Sequence, residues 1–300
     1  MELANWCHLY HHPINSYNNS TSLDKELIKL GIKLYLFKYR ENSEACLPSN
    51  AFIKQNNIHV LLVNITGESD FIDDRLIQFK KDNPNVILIN FLGDEPQTRH
   101  VNFVRAITSD VALSPDAIST EYWKGIGVNC KWWNHWADLD VFQNLHLKRS
   151  IFVGTTMGKR KYSKFLKCLL GNFFINKRVE GTENSQFYSS VKVAFQYARF
   201  NEITRRIFEA SACGCCVLTN KLPEETRINE IFRHNETILF FQNHIHLIYL
   251  LLKLSLNKTK AKRISRNAEY LVKSRHSAAN RASEIYAHAL ECKKFNKMNI

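Results

Sequence analysis

Residues 205–220, which read RRIFEASACGCCVLTN, decide the fold of this chain. Arg206 and Glu209 are three residues apart, and this spacing puts both side chains on one face of a helix. Gly214 supplies the left-handed residue that ends a helix, and residues 215–218 form the short apolar run that is typical of a buried parallel strand. The stretch therefore predicts a helix that leads directly into a strand, with a charged pair at the edge of a sheet.

The same alternation of helices and short apolar strands extends along the chain. This alternation favours parallel sheets covered by helices on both faces. It is interrupted at the aromatic-rich residues 131–136 and begins again at residue 150. We predict two Rossmann-like, doubly wound α/β domains that face a central cleft, one over residues 1–147 and one over residues 148–300. The predicted strands are 32–37, 60–63, 86–89, 109–114, 150–155, 173–175, 191–195, 215–218 and 238–241, and the predicted helices are 22–30, 52–56, 71–80, 162–170, 205–213, 246–256, 260–273 and 278–292.

Length and cysteine usage limit the class of protein. The chain has 300 residues, of which 45% are hydrophobic, and this fits two domains of roughly 150 residues each. Its eight cysteines are irregularly spaced, and we recognise neither a leader peptide nor an apolar run of membrane-spanning length. We therefore expect a cytoplasmic protein from a reducing compartment, with no membrane span.

The basic excess of the chain lies in its second half. Residues 1–148 hold 14 Lys and Arg against 17 Asp and Glu, a net charge of −3, whereas the whole chain holds 41 against 28, a net charge of +13. Residues 149–300 therefore hold the remaining 27 against 11, a net charge of +16. Such an excess is either a solvated, solubilising face or an attraction to phosphate, on a nucleotide or on a polymer.

The loops that follow strands are the candidate site, because doubly wound domains bind ligands at the carboxyl ends of their strands. One such loop, residues 154–161, begins at Gly154 and ends in three cations that include Lys159 and Arg160. Glycine allows close approach to the backbone, a helix N-terminus attracts anions, and the cations neutralise a diphosphate. The loop lacks the spacing of a phosphate loop, so a solvated basic turn is the alternative.

A second candidate segment, residues 201–209, follows the predicted strand 191–195 and places polar groups at the start of a helix. Glu209 is suited to accept two hydrogen bonds from the vicinal hydroxyls of a ribose, and Arg206 is suited to hold that carboxylate or a phosphate. The alternative is an ion pair along one helix, which contributes little.

Residues 206–219 follow the pattern Arg-x-Phe-Glu-Ala-x-Ala-x-Gly-Cys-x-Val-Leu-Thr, which resembles the C-terminal half of group 1 glycosyltransferases. The most similar subgroup is the one named for the spore maturation protein CgeB. Residues 152–154 with Arg160 resemble the strand and glycine that open this half, and residues 275–277 with Arg281 resemble its closing helix. The likeness covers most of the chain from residue 86, and in the first half it rests on residues 94–96, 109–111, 127 and 137–138.

The resemblance implies a GT-B fold, with a nucleotide-diphosphate sugar in the second domain and the acceptor in the first. It implies that Glu209 binds the donor ribose and that Lys159 and Arg160 bind the diphosphate. The family's common Glu-x7-Glu pair has Asn201 in its first position here, with Glu202 adjacent, and the glycine-rich loop of the N-terminal half is absent. The implied donor-binding residues are Gly154, Lys159, Arg160, Asn201, Thr204, Arg206 and Glu209.

Transfer of a sugar requires a stabilised leaving diphosphate and an activated acceptor hydroxyl. Cations and a helix N-terminus meet the first requirement without a metal ion or other cofactor. A carboxylate or a histidine in a loop can act as the general base, and we rank Asp94 first and His12 second, ahead of His11 and His135. We therefore predict a metal-independent glycosyltransferase of the hexosyltransferase type, whose acceptor is a glycan, a protein or a nucleic acid.

The +16 charge of the second half keeps a different class of protein open. A non-catalytic protein that binds nucleic acid through this half is the alternative, and it requires binding that falls steeply with salt. An enzyme that glycosylates nucleic acid would combine both features.

Two further clusters are candidates for ligand binding or for packing. Residues 213–216 hold three cysteines, but the chain lacks a second Cys or His pair at the spacing that a zinc site needs. Residues 132–136 hold three tryptophans, which either stack on an acceptor or pack at the domain junction. His244 and His246 are expected at the start of a helix.

Overall fold

The computed structural model of the chain describes residues 3–10, 19–38, 40–41, 44–45, 47–64, 72–157, 161–179 and 181–298. These residues form two compact units. Unit 1 comprises Met1–Asn134 and Ala279–Ile300, and unit 2 comprises His135–Ala278.

Unit 1 is built on a six-stranded sheet in which all neighbouring strands run parallel. The strands are β1 (Asn5–Tyr10), β2 (Lys33–Lys38), β3 (Arg40–Glu41), β4 (Glu44–Ala45), β5 (Val60–Asn64), β6 (Ile87–Phe91), β7 (Val111–Ser114) and β8 (Cys130–Trp132), and the helices are α1 (Asn19–Lys29), α2 (Asn50–Gln55), α3 (Ile72–Asp82), α4 (Arg99–Thr108) and α5 (Ala117–Gly125). The order in the sheet is β2-β1-β5-β6-β7-β8, and β3 and β4 form a separate antiparallel pair.

Unit 2 is built on a five-stranded sheet that is also parallel throughout. Its strands are β9 (Ile151–Thr155), β10 (Phe174–Asn176), β11 (Val191–Phe195), β12 (Cys216–Asn220) and β13 (Leu239–Phe241), and the helices that follow are α6 (Lys161–Leu170), α7 (Thr182–Ser190), α8 (Arg205–Ala212), α9 (Ile228–Ile231), α10 (His244–Leu256), α11 (Lys258–Arg275) and α12 (Ala278–Met298). The order is β10-β9-β11-β12-β13, and α12 lies almost entirely in unit 1.

Both faces of the second sheet are covered, as the apolar strands require. On one face, residues such as Val153 and Val193 pack with the leucines of α10 in the main core of the unit. On the other face, a Cβ atom on Gly154 would lie 3.0 Å from the ring of Phe187, which belongs to α7. Together with the parallel sheet of unit 1, this confirms the prediction of two Rossmann-like, doubly wound α/β domains.

The stretch 205–220 folds as predicted. Helix α8 ends at Ala212, the backbone of Gly214 is left-handed with φ of 73°, and β12 begins two residues later. The strand extends to Asn220, beyond the predicted end, because its last residue pairs with Phe241 of β13. A turn this tight brings the first turn of α8 close to the carboxyl edge of the sheet.

Four helices, α4, α5, α7 and the short α9, have no counterpart in the sequence-based prediction. Helix α7 reads TENSQFYSS, in which serine and asparagine have low intrinsic helix propensity. Its helical form comes instead from burial of Phe187 and Tyr188 against the sheet, a tertiary effect that local propensity does not show. Among the helices of the described ranges, none combines the length and the apolar character needed to cross a membrane.

The compact units divide the chain differently from the boundary predicted between residues 147 and 148. Unit 2 begins at His135, and α12 returns to unit 1, where Tyr286 stacks on Trp6 with ring centroids 6.2 Å apart. This contact joins residues at opposite ends of the chain, so no local sequence pattern could indicate it.

Candidate functional site

The strand order of unit 2 changes direction between β9 and β11. In open α/β sheets, a crevice for ligands lies outside the carboxyl ends of the strands at such a switch point. The residues that follow the two strands, 156–157 and 196–198, border this crevice. They are the starting point for the candidate site.

A chain of buried hydroxyl and amide groups lies at the crevice. Gln196 donates a hydrogen bond from Nε2 to the hydroxyl of Tyr188 at 3.3 Å, and that hydroxyl lies 2.9 Å from Oγ1 of Thr156. Burial raises the pKa of Tyr188, and the negative charge of Glu209 raises it further. Tyr188 therefore stays protonated, accepts from Gln196 and shares a hydrogen bond with Thr156, which fixes the polar floor of the crevice.

The loop after β11 is held by the side chain of Asn220, the last residue of β12. Its Oδ1 accepts a hydrogen bond from the backbone N–H of Ala198 at 2.9 Å, and its Nδ2 donates to the carbonyl of the same residue at 3.2 Å. The backbone N–H of Tyr197 also donates to Sδ of Met157 at 2.9 Å. These bonds fix the loop on β9 and β12, so the edge of the crevice is preformed.

Glu209 is a buried carboxylate on α8, with 3% of the residue exposed. Its ion-pair partner is Arg205, whose Nε lies 2.8 Å from Oε1, and the predicted pairing with Arg206 is wrong. Arg205 precedes Glu209 by four residues on the same helical face, whereas Arg206 is exposed. The contact lacks hydrogen-bond geometry, and Glu209 Oε1 has no hydrogen-bond donor among the described residues. This buried oxygen therefore keeps its capacity to accept a hydrogen bond.

The N-terminus of α8 offers a second unused polar group. Thr204 is the N-cap residue, but its side chain makes no capping hydrogen bond. Its Oγ1 is buried and has no hydrogen-bond partner within the part of the chain that the structure describes. Unpaired N–H groups and the helix dipole make such a terminus favourable for an anion.

Three aromatic rings from separate elements stack at the carboxyl edge of the sheet. The ring of Tyr162 on α6 lies 4.5 Å from that of Tyr197 and 4.9 Å from the imidazole of His244. Burial and the neighbouring Tyr197 raise the pKa of Tyr162. The stack ties the start of α6 and the start of α10 to the loop after β11.

In unit 1, the residues after β6 combine an exposed and a buried acid. Asp94 is exposed and its backbone has the left-handed conformation, with φ of 55°, whereas Glu95 is buried. Trp123 donates from Nε1 to both carboxylate oxygens of Glu95 at 2.9 Å, and Asn102 donates at 3.0 Å. Burial nevertheless raises the pKa of Glu95 above its ordinary value.

A histidine and a carboxylate also pair in unit 1. His8, in the middle of β1, is fully buried, and its Nδ1 lies 2.5 Å from Oδ1 of Asp24 on α1. A carboxylate on one ring nitrogen orients an imidazole, which is a common feature of general bases. The only sequence signal of this pair is a histidine among the apolar residues of β1, because Asp24 comes from a separate element.

Comparisons with known proteins agree with this architecture. Residues 141–287 match a family model described as Glycosyl transferase-like. The structure of a sucrose-phosphate synthase from Thermosynechococcus elongatus is similar with a TM-score of 0.65 at 9% identity, and the match covers 98% of each chain. A glycosyltransferase from Rickettsia africae gives a TM-score of 0.66 at 10% identity over 97% of this chain and 99% of that chain.

Anabaena HepE, solved in complex with UDP-glucose, gives a TM-score of 0.62 at 13% identity over 94% of this chain and 98% of that chain. No curated protein matches the sequence. The chain has a GT-B fold, and the predicted fold is thereby confirmed. The match of residues 141–287 supports the predicted glycosyltransferase activity.

The structure places the predicted donor-binding residues in different settings. Thr204 and Glu209 lie on or next to the first turns of α8, as described above. Asn201 is exposed in the preceding loop with φ of 55°, a left-handed conformation that asparagine tolerates better than the glutamate of the family pattern. Lys159, Arg160 and the candidate base His12 lie outside the described residues.

Gly154 has a packing reason to be glycine. It lies inside β9, where an added Cβ would approach Cγ2 of Val191 at 2.5 Å and the ring of Phe187 at 3.0 Å. The close contact of α7 with the sheet therefore excludes a side chain at this position. A role of Gly154 in ligand binding stays a prediction.

The cysteine cluster is buried, and so are Trp133 and Trp136 of the tryptophan cluster. Cys213, Cys215 and Cys216 are fully buried, and burial raises the pKa of Cys215 and Cys216 to about 12. These thiols stay protonated, which disfavours metal binding. Trp133 is buried in unit 1 with its ring 5.4 Å from that of Phe91, so its role there is packing.

Proposed function

We propose that this chain transfers a sugar from a nucleotide-diphosphate sugar to an acceptor hydroxyl without a metal ion. The observation that carries the proposal is the buried carboxylate of Glu209, whose Oε1 has no hydrogen-bond donor among the described residues. A buried carboxylate oxygen with spare acceptor capacity suits the vicinal hydroxyls of a ribose. UDP-glucose is the first donor to test, because Anabaena HepE was solved with it.

The donor phosphates are proposed to lie at the N-terminus of α8. Thr204 contributes a buried hydroxyl there, and the exposed Arg206 contributes a positive charge within electrostatic reach of Tyr188. The sequence adds Lys159 and Arg160 after β9. Fixed cations and a helix terminus stabilise the charge that develops on a leaving diphosphate, which is the task a divalent metal performs in other transferases.

Acceptor activation is proposed for an acid or histidine of unit 1. Asp94 follows β6 and is exposed, so its carboxylate is open to an incoming hydroxyl, and His12 follows β1 in the sequence. On the pattern of residues 206–219, we also place the chain in the CgeB-like subgroup, and its cysteine usage supports a cytoplasmic location.

Donor binding tests the proposal directly. We expect at least one of UDP-glucose, GDP-glucose, ADP-glucose and dTDP-glucose to raise the melting temperature of the wild type. At a donor concentration 100-fold above its Kd, the stabilisation is about 2.7 kcal/mol, which corresponds to a shift of several degrees. Glu209→Gln retains the size of the side chain but loses the charge, and we expect it to lose most of the shift.

Glu269→Gln is the matched control. Glu269 is also a carboxylate of unit 2 in an ion pair four residues along a helix, with Lys273 Nζ at 2.6 Å, but it lies on α11. This variant should keep the full shift. The proposal is contradicted if none of the four donors shifts the melting temperature of the wild type. It is also contradicted if a donor stabilises Glu209→Gln as much as it stabilises the wild type.

A further inference from the structure

Helix α10 is apolar on its outer face as well as on its inner face. The inner residues, such as Leu247 and Leu251, are buried in the core of unit 2. Surface helices of globular domains normally carry polar residues on the opposite face. Here the outer face carries four residues at spacings of four, three and four, which align along the helix, and their exposures are 80% for Ile245, 54% for Tyr249, 58% for Leu252 and 87% for Leu256.

The apolar surface continues beyond the helix into a groove. Leu252 lines a cavity of about 410 Å³ together with Leu169 and Phe173, and Phe173 is 68% exposed. Phe152 of β9 forms part of the floor. We call this continuous area the α10 surface, and it comprises Ile245, Tyr249, Leu252, Leu256, Leu169 and Phe173.

Cations border the α10 surface at its groove. Lys192 and Lys258 line the groove and also a neighbouring cavity of about 640 Å³, to which Lys262 and Arg266 contribute. All four are exposed, and none forms an ion pair within the described ranges. The acid in that second cavity, Glu269, is paired with Lys273.

We propose that the α10 surface docks on an anionic lipid bilayer. Exposed leucine, isoleucine and aromatic side chains enter the boundary between headgroups and acyl chains, while lysines at their edge bind the negative headgroups. The charge of the four free cations complements such a surface. A polyanion such as RNA would pair with the same cations but would leave Leu256 and Ile245 in water, so the aliphatic residues favour a bilayer.

The groove of the α10 surface lies away from the donor crevice. The groove lies at the amino edge of the second sheet, since Phe152 and Lys192 are near the starts of β9 and β11. The crevice lies at the opposite, carboxyl edge. The proposal therefore does not depend on the identity of the donor, and it adds a membrane surface as the place where the chain works.

Co-sedimentation with vesicles tests the docking. The wild type is mixed with vesicles of pure phosphatidylcholine or of phosphatidylcholine with about one third phosphatidylserine. We expect binding to the anionic vesicles, weak binding to the neutral ones, and a clear loss at high salt. The double variant Leu252→Gln/Leu256→Gln should lower the partition coefficient about tenfold or more, and its exposed positions leave the core unchanged.

A second variant separates charge from apolar contact. Lys192→Gln/Lys258→Gln should lower binding to anionic vesicles severalfold and should leave the residual binding to neutral vesicles unchanged. The matched controls lie in unit 1. Ile28→Gln/Ile107→Gln replaces two exposed aliphatic residues, and Lys29→Gln/Lys124→Gln removes the same amount of charge, so both should bind as the wild type does.

Three results overturn the proposal. One is equal binding by the wild type and by both α10-surface variants. Another is the absence of vesicle binding together with salt-dependent binding to RNA or DNA that Leu252→Gln/Leu256→Gln leaves unchanged, which assigns the cations to nucleic acid. The third is the absence of vesicle binding together with a dimer in sedimentation analysis that the same leucine variant dissociates, which assigns the α10 surface to a second copy of the chain.

Discussion

Two features of the structure require a glycine at position 214, between α8 and β12: the backbone conformation and the lack of space for a side chain. Its φ of 73° is unfavourable for other residues, and an added Cβ would lie 2.6 Å from Nδ2 of Asn144 and 2.8 Å from Nη2 of Arg149. Arg149 cannot easily move away, because it donates hydrogen bonds to the carbonyls of Tyr188 and Cys213. We expect Gly214→Ala to cost about 3 kcal/mol or more in the free energy of unfolding, measured by urea denaturation.

Gly127→Ala separates the two effects. Gly127 has φ of 87°, but nothing lies within 4 Å of its Cβ position, so only the backbone penalty of about 1–2 kcal/mol applies. Gly125→Ala has neither a positive φ nor a close neighbour and should be close to neutral. Equal losses for Gly214→Ala and Gly127→Ala would show that the crowding by Asn144 and Arg149 relaxes at no cost.

Glu95 makes the stability of unit 1 depend on pH. Burial raises its pKa, so the folded state holds the proton more tightly than the unfolded state does. Its contribution to stability is therefore greatest below the ordinary value of 4.5 and is lost as the pH rises through the higher folded pKa. We expect Glu95→Gln, which cannot ionise, to gain stability relative to the wild type as the pH rises from about 4 to about 8.

Urea midpoints across this pH range measure the effect. Glu121→Gln is the control, since Glu121 is an exposed acid of the same unit that pairs with Lys124 at 2.9 Å. The two variants should diverge with rising pH. Parallel curves for Glu95→Gln and Glu121→Gln would contradict the assignment of Glu95 as a strained, buried acid.

Strand β12 and the turn before it hold three thiols that are buried away from reagents in the solvent. Cys213, Cys215 and Cys216 are fully buried with raised pKa values, whereas Cys168 on α6 is exposed. We expect iodoacetamide at about pH 8 to alkylate Cys168 in the native protein and the other three only after denaturation, because the thiolate is the reactive form. Peptide mass spectrometry identifies the sites.

Cys168→Ser provides the comparison for this labelling experiment. The variant should lose the rapid native modification at α6 without exposing β12. Rapid native alkylation of Cys215 or Cys216 would mean that α8 and β12 separate in solution, in disagreement with the tight turn at Gly214.

Elements with a strong local signal could be predicted from the sequence. The strands β5, β6 and β11 are apolar throughout or nearly so, and a glycine separates α8 from β12. The predicted bounds of these elements therefore agree with the structure within a few residues. Helix α7 was missed because its polar residues fit a loop as well as a helix. The packing of Phe187 against Gly154 decides its structure, and these two residues are far apart in the sequence.

The candidate site was predictable only where a single segment carries it. Glu209 and Thr204 stand on one short segment with a family pattern, and the charge of Glu209 acts on Tyr188 at the crevice. Their role in donor binding stays a prediction. The partner of Glu209 was mistaken because spacings of three and four are equally compatible with one helical face. The stack of Tyr197, Tyr162 and His244 and the pair of His8 and Asp24 join separate elements, so only the tertiary structure brings them together.

At the scale of the whole molecule, unit 1 is completed by α12, whose Tyr286 stacks on Trp6 and whose Glu291 lies 3.6 Å from Lys131. During translation, Trp6 is synthesised before all of unit 2 and cannot contact Tyr286 until α12 has been made. Unit 2 has all its strands and helices available before α12 emerges. The nascent chain is thus expected to finish its second domain first, and the half whose synthesis starts earliest is the last to reach its native state.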